Sequence, residues 1–313
     1  MSKLILIDGN AILHRAYHAL PPTLTTRKGE PINAVYGFVS MFLKIVQDLR
    51  PTHVAVCFDR KEPTFRHKEF EEYQAHRPET DKELIGQFAK AREVITAFSI
   101  PYYDKKGFEA DDVIGTLAKQ VTKKHKSPVT SRQSPIDEVV IVTGDRDILQ
   151  LVTDRVKVYL PIRGLKEAEL MGKKEVIEKM GVAPEQIDDY KALVGDPSDN
   201  YKGVPGIGPK TATSLLAKYK DVATIYKNIN KLEEPIAKKL KEGRKSAYQS
   251  QRLAVIVTNV PIKLDLEKAK KWKVDSNQVL ALFSEFGFKT LTKRVKDVGA
   301  QIASEDQGNL FGS

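Results

Sequence analysis

The chain has 313 residues, of which 41% are hydrophobic, enough for a real core, and it carries a formal net charge of +10. That basic excess points to a polyanionic partner rather than an acidic one. A lone cysteine, Cys57, excludes an internal disulfide and fits a reducing cytoplasm, and the four-residue N-terminal apolar run is too short for a signal peptide or a membrane span.

The first half alternates strands and helices. Leu4-Ile5-Leu6-Ile7 reads as a strand over 3–7, and a helical stretch follows from about Ala34 to Leu49. A second apolar strand covers 54–58, and a long polar segment runs from 60 to 100. A helix over Asp111–Lys124 leads to strand 139–143, a short helix 145–152 and strand 156–160. This order predicts an α/β fold with a mostly parallel sheet and flanking helices. Segment 125–137, with two prolines and three serines, reads as a mobile surface loop. From about Lys173 the strand signals largely stop and the chain becomes helical and lysine-rich. Between Lys202 and Lys245 there are eleven Lys or Arg against four Asp or Glu, either a solvated face or a phosphate-binding surface. The stretch 296–313 has little periodicity and reads as a flexible tail. The boundaries expected are 1–172, 173–295 and 296–313.

Nine carboxylates stand out: Asp8, Asp59, Glu109, Asp111, Asp112, Asp145, Asp147, Asp196 and Asp199. Asp8, Asp59 and the Asp145/Asp147 pair each follow an apolar strand, and strand C-termini are where open α/β sheets bind ligands. Glu109-Ala110-Asp111-Asp112 puts three acids at a helix start, more than a helix dipole needs. Asp196 and Asp199 lie three apart, on one face if that turn is helical. So many acids repel one another unless a cation neutralises them, and all-oxygen ligation suits Mg²⁺ or Mn²⁺. A second motif, Gly203-Val204-Pro205-Gly206-Ile207-Gly208-Pro209-Lys210-Thr211, opens a helix with free amides beside Lys210 and Thr211. Such a loop can hold a backbone phosphate.

These blocks, with Phe58-Asp59, Pro63-Thr64-Phe65-Arg66 and Thr143-Gly144-Asp145-Arg146-Asp147, resemble the 5′-nuclease (flap endonuclease) superfamily over roughly residues 3–290. The nearest resemblance is to the 5′→3′ exonuclease domain of bacterial DNA polymerase I, here expected as a stand-alone protein. The resemblance implies a PIN-like catalytic sheet followed by a helix–three-turn–helix DNA-binding domain. It implies two divalent cations, one among Asp8, Asp59, Glu109 and Asp111, the other among Asp145, Asp147, Asp196 and Asp199, with Asp112 nearby. It also implies a K⁺ on the Gly203–Gly208 loop and DNA contacts from Gly206, Gly208, Lys210 and Thr211.

Segment 60–80 resembles the family's arch. There Arg66, Tyr73, Gln74 and Arg77 are expected to meet DNA, within an aromatic and basic mixture suited to stacking bases and gripping phosphates. The family's usual Tyr-Lys-Ala-x-Arg is here Tyr73-Gln74-Ala75-His76-Arg77, so a cation at the scissile phosphate is missing and Arg77, Arg66 or Lys68 is left to compensate. Tyr201-Lys202, where Ile-Pro is common, is a second departure. The implied function is hydrolysis of DNA phosphodiesters at flaps, nicks and RNA primers, by a cytoplasmic, nucleoid-associated monomer. The alternative is a catalytically weakened flap-binding protein. Gln307, Leu310 and Phe311 resemble the Gln-x-x-Leu-Phe peptide that binds the bacterial sliding clamp.

Overall fold

The computed structural model describes residues 1–123, 135–163 and 167–310. Residues 125–134 of the expected surface loop lie outside the described residues, as does Phe311.

Strand β1 (Lys3–Asp8) leads directly into helix α1 (Gly9–Ala19), and α2 (Asn33–Leu49) returns the chain to β2 (His53–Cys57). The segment read as polar contains α3 (Phe65–Glu69) and the long α4 (Lys82–Ala97), then the two-residue β3 (Tyr102–Tyr103). Helix α4 buries Leu84, Gln87, Ala91, Val94 and Ile95, a stripe narrow enough to be hidden among its charges. Helix α5 (Ala110–Thr122), β4 (Glu138–Val142), β5 (Val156–Arg163) and β6 (Glu167–Met171) complete the first half. Between β4 and β5 the short helix expected is a single 3₁₀ turn, Asp147–Leu151.

The sheet order is β3-β2-β1-β4-β5-β6, parallel except for β6. Strand order reverses at β1/β4, and that switch point carries Asp8 on one side and the β4 end on the other. Both faces are covered, which explains the unbroken apolar runs of β1 and β2. Leu4, Leu6, Ala55, Cys57, Val139 and Ile141 pack towards α5 and the C-terminal helices. Ile5, Ile7, Val54, Val56, Val140 and Val142 pack on the other face, with residues of α2 and α4. This is the two-residue alternation of strand side chains.

The second half is helical: α6 (Lys173–Met180), α7 (Ile187–Val194), α8 (Pro209–Tyr219), α9 (Val222–Lys227), α10 (Glu234–Glu242), α11 (Arg244–Ala254), α12 (Leu266–Ala269), α13 (Asn277–Phe286) and α14 (Lys289–Leu310). A small hairpin, β7 (Gly195–Asp196) with β8 (Tyr201–Lys202), interrupts it. Gly195 and Gly203 make that hairpin possible. A Cβ on Gly203 would lie 2.4 Å from the Gly195 nitrogen, and Gly195 has φ +78°. Helices α13 and α14 return to the N-terminal half and bury Phe283, Leu291, Val295 and Val298 with α2 and α4 residues. The expected tail from 296 is corrected here: the chain stays helical to Leu310, and Ile302 still packs against this core. Among the described residues no helix is long and apolar enough to cross a membrane.

Candidate metal centre and nucleic-acid interface

The parallel strands deliver their acids to one edge. Asp8 ends β1, caps α1 by accepting from the Ala11 amide at 2.9 Å, and accepts from the Thr143 hydroxyl at 2.8 Å across the switch point. Asp59, two residues beyond β2, accepts from the Ala110 amide at 2.7 Å, and its own amide donates to Asn10. These bonds fix the rotamers of both acids and leave lone pairs on each carboxylate.

Glu109 and Asp111 stand at the start of α5. Burial first, then the charge of Asp59, pushes the Asp8 carboxyl up to about 7. Burial pushes Glu109 up to about 7 as well, with Arg66 opposing. Asp111 is raised well above the carboxylate range by burial and by Asp145, Asp8, Asp59 and Glu109. These acids therefore repel across one shared site, which is the electrostatic signature of a place built for a cation.

The second group is tighter. One oxygen each from Asp147, Asp196 and Asp199 lies within 4.8 Å of the others, the one such convergence among the described residues. The 3₁₀ turn supplies Asp147 and the β7–β8 hairpin supplies the other two. Asp145 couples the groups, since its charge acts on Asp8, Asp111 and Asp147. The Asp147 carboxyl is pushed up to about 7 by burial and Asp145.

Lys191, on α7, places its ammonium between Asp147 and Asp196 and bonds both. A cation already sits where the acids converge, and the all-oxygen donor set fits a hard divalent ion. Sequence reading missed Lys191. Its only signal is a lysine in the run Tyr190-Lys191-Ala192-Leu193-Val194, one turn before Gly195-Asp196.

Three expectations are corrected. Asp112 is fully buried and accepts four hydrogen bonds: two from Arg66, one from the Val257 amide and one from the Glu109 amide. It has no lone pair left for a metal. Arg66 is 2% exposed and Tyr73 3%, so both turn into the protein instead of presenting the expected DNA-facing surface. Arg66 holds Asp112, and the Tyr73 hydroxyl donates to Asp199 at 3.2 Å. Gln74 and Arg77 also turn to Asp199, donating to its Oδ1 at 3.1 and 2.6 Å, although the Arg77 side chain stays half exposed.

The basic stretch begins at Lys202, three residues after Asp199. All eleven Lys and Arg between 202 and 245 are exposed. Gly208 precedes α8, Pro209 occupies its first turn, and Lys210 is exposed there. The Gly206 carbonyl, on the loop expected to take K⁺, accepts from the Lys239 ammonium at 3.1 Å.

Residues 3–181 match the family described as 5′-3′ exonuclease, N-terminal resolvase-like domain, and residues 182–277 match 5′-3′ exonuclease, C-terminal SAM fold. DNA polymerase I of Bacillus subtilis (strain 168) is 39% identical over 306 residues, covering 97% of this chain and 33% of that protein. DNA polymerase I of Caldicellulosiruptor bescii is 40% identical over 295 residues, covering 94% and 33%. The chain thus spans about a third of the length of these relatives.

Among solved structures, T5 5′-exonuclease with bound zinc has a TM-score of 0.63 at 20% identity, covering 95% of this chain and 98% of that one. The catalytic core of Rad2 in complex with DNA substrate has a TM-score of 0.58 at 15% identity, covering 96% and 92%. These two likenesses establish the fold. With both domain descriptions matched in order along one chain, this protein belongs to the 5′-3′ exonuclease family.

Proposed function

We propose that this chain is a divalent-metal-dependent nuclease that hydrolyses DNA phosphodiesters near the junction of a 5′ single strand and a duplex, by 5′→3′ exonuclease and flap endonuclease action. The observation that carries this reading is the convergence of Asp147, Asp196 and Asp199 beside a second set of mutually repelling acids at the sheet's C-terminal edge. Asp8, Asp59, Glu109 and Asp111 would hold one Mg²⁺ or Mn²⁺ and the Asp147 triad the other, with Asp145 between them. When bound, such a pair of ions activates a water and stabilises the leaving oxygen. Thr143 and the Ala110 amide keep Asp8 and Asp59 oriented. Arg77, half exposed beside Asp199, is the cation best placed to meet a phosphate.

The exposed lysines and the α8 N-terminus support duplex binding through the backbone, where the Lys210 and Thr211 amides have no intrahelical acceptor. Asp145→Asn should nearly abolish Mg²⁺-dependent flap cleavage and spare flap binding in EDTA. Cutting at the wild-type rate would end the two-cation reading. Lys210→Ala should reduce the salt dependence of duplex binding by about one phosphate equivalent. An unchanged slope would remove this loop from the interface.

Finer parts of the proposal rest on sequence. They are primer removal and repair as the setting, action as a monomer in the cytoplasm at the nucleoid, and sliding-clamp binding through Gln307, Leu310 and Phe311. A clamp pull-down that captures the chain equally well with and without residues 307–313 would remove the last of these. A K⁺ on the Gly206 carbonyl requires Lys239 to swing away. The reading of a weakened, flap-binding protein is favoured by one observation: Gln74 supplies no charge and spends its amide on Asp199.

A further inference from the structure

Tyr201 lies directly across the β7–β8 hairpin from Asp196, so the two side chains share one face of that ribbon. The residue is 4% exposed and its ring packs with Tyr73, Leu253 and Ala254. Its hydroxyl is buried and finds no hydrogen-bond partner among the described residues. Leaving such a group unpaired is unfavourable, so the position calls for a partner. Tyr73, in the same cluster, shows the contrast, because its hydroxyl reaches both Asp199 and Glu109.

The charges that act on the Tyr201 hydroxyl are Asp147, Asp196 and Asp199, with Arg66 opposing. A tyrosine hydroxyl at neutral pH is an uncharged phenol with lone pairs to offer. The three acids are already engaged. Asp196 accepts from the Ser198 amide and hydroxyl and from Lys191, and Asp199 accepts from Tyr73, Gln74 and Arg77. A small divalent cation on this triad would take about three oxygens from protein and keep the rest of its shell as water. Those waters are strong donors that need acceptors inside the protein.

We propose that the Tyr201 hydroxyl is a positioning group for a divalent cation on the Asp147–Asp196–Asp199 triad, accepting a hydrogen bond from the ion's hydration shell. This rests on the two-cation reading above and adds to it a residue that none of the acids implies.

The test is Mn²⁺ binding to the full chain by calorimetry, with the thermal midpoint measured in EDTA and in Mn²⁺. Tyr201→Phe keeps the ring and should weaken binding of one Mn²⁺ about tenfold, the size of loss common for outer-sphere partners. Its midpoint in EDTA should not fall, while its gain on adding Mn²⁺ should shrink. An unchanged Mn²⁺ isotherm overturns the proposal, and so does a lower midpoint in EDTA with a full Mn²⁺ gain, which would mark a packing role. Asp147→Asn separates the two readings. If it abolishes binding of one ion while Tyr201→Phe changes nothing, only the Tyr201 proposal falls. If wild type takes up no Mn²⁺ or Asp147→Asn binds normally, the metal reading falls and this proposal with it.

Discussion

Arg66 and Asp112 meet as a forked pair, Nη1 to Oδ2 at 2.8 Å and Nη2 to Oδ1 at 2.9 Å, with both side chains buried. Arg66 also donates Nε to the Leu253 carbonyl at 2.9 Å and Nη2 to the Val255 carbonyl at 2.8 Å, and its Nη1 lies 3.3 Å from Glu109. Four of the five guanidinium N–H groups are thereby hydrogen-bonded, and Glu109 adds an ion pair. One side chain ties α3 to the acid-bearing start of α5 and to the end of α11. This clasp braces the helix start that carries Glu109 and Asp111.

Breaking that clasp should be costly. Arg66→Met would leave Asp112 charged, buried and unpaired, a change worth about 3–5 kcal/mol in comparable buried pairs. Urea unfolding in EDTA is the check, and the expected result is a clear fall in midpoint. The salt dependence of duplex binding by the folded variant should match wild type. A stable variant with a shallower salt slope would return Arg66 to the DNA surface.

The acids make the metal-free protein sensitive to pH in a defined direction. Asp8, Glu109 and Asp147 titrate near 7 in the folded chain, against 3.8 or 4.5 for an unperturbed group. Between those values the folded state binds more protons than the unfolded state. Their contribution is therefore fully present below about pH 4 and is lost as pH rises through 7. In EDTA the thermal midpoint should fall between pH 5.5 and 8.5 more steeply for wild type than for Asp8→Asn. A divalent ion at pH 8 should restore the loss. Parallel pH profiles for the two proteins would show that Asp8 is not held in a raised state.

Lys191 gives the triad a built-in counter-ion. Its ammonium is raised to about 12 by Asp147 and Asp196 against the opposing effect of burial, so it remains charged throughout the working range. Lys191→Met should lower the thermal midpoint in EDTA, since Asp147 and Asp196 then face each other without a cation. The gain in midpoint on adding Mn²⁺ should grow, because no ammonium must be displaced. An Mn²⁺ gain equal to that of wild type would mean that Lys191 does not occupy the ion's place.

The strand-end acids are legible in sequence because each apolar run stops on one, and a parallel sheet then brings every such stop to the same edge. Lys191 is not legible. A lysine in a short amphipathic helix is ordinarily solvated, and only the docking of α7 against the Asp147 turn points it inward. Arg66 and Tyr73 mislead for a related reason. A stretch mixing aromatic and basic residues has no period that fixes its facing, and the partners of Arg66 are 46 and 187 residues away. Asp112 differs from Asp111 by one position in a helix, which is enough to send one carboxylate to the acidic centre and the other into the clasp. The helix continuing past 296 is hidden by a weak apolar stripe whose members, Val298 and Ile302, find their cover on residues from the first half of the chain.

Gln74 is the departure most open to test. It adopts a left-handed backbone conformation, φ 57°, fixed by its amide donating to the Asp199 carbonyl at 3.0 Å. Its side chain and that of Arg77 share the same Asp199 oxygen. Lysine is no more strained than glutamine at that φ, so Gln74→Lys should fold normally. It would place two cations beside one carboxylate oxygen, and a single carboxylate cannot fully satisfy both. The surplus positive charge would lie beside the acidic centre, where the proposed function brings the scissile phosphate, and charge stabilisation there would act on the transition state. Single-turnover cleavage of a 5′-flap substrate in Mg²⁺ should therefore speed up several-fold, on the order of 1 kcal/mol of barrier. Flap binding in EDTA should change less than the rate does. A rate at or below wild type would mean that Arg77 alone already supplies the cation the reaction needs.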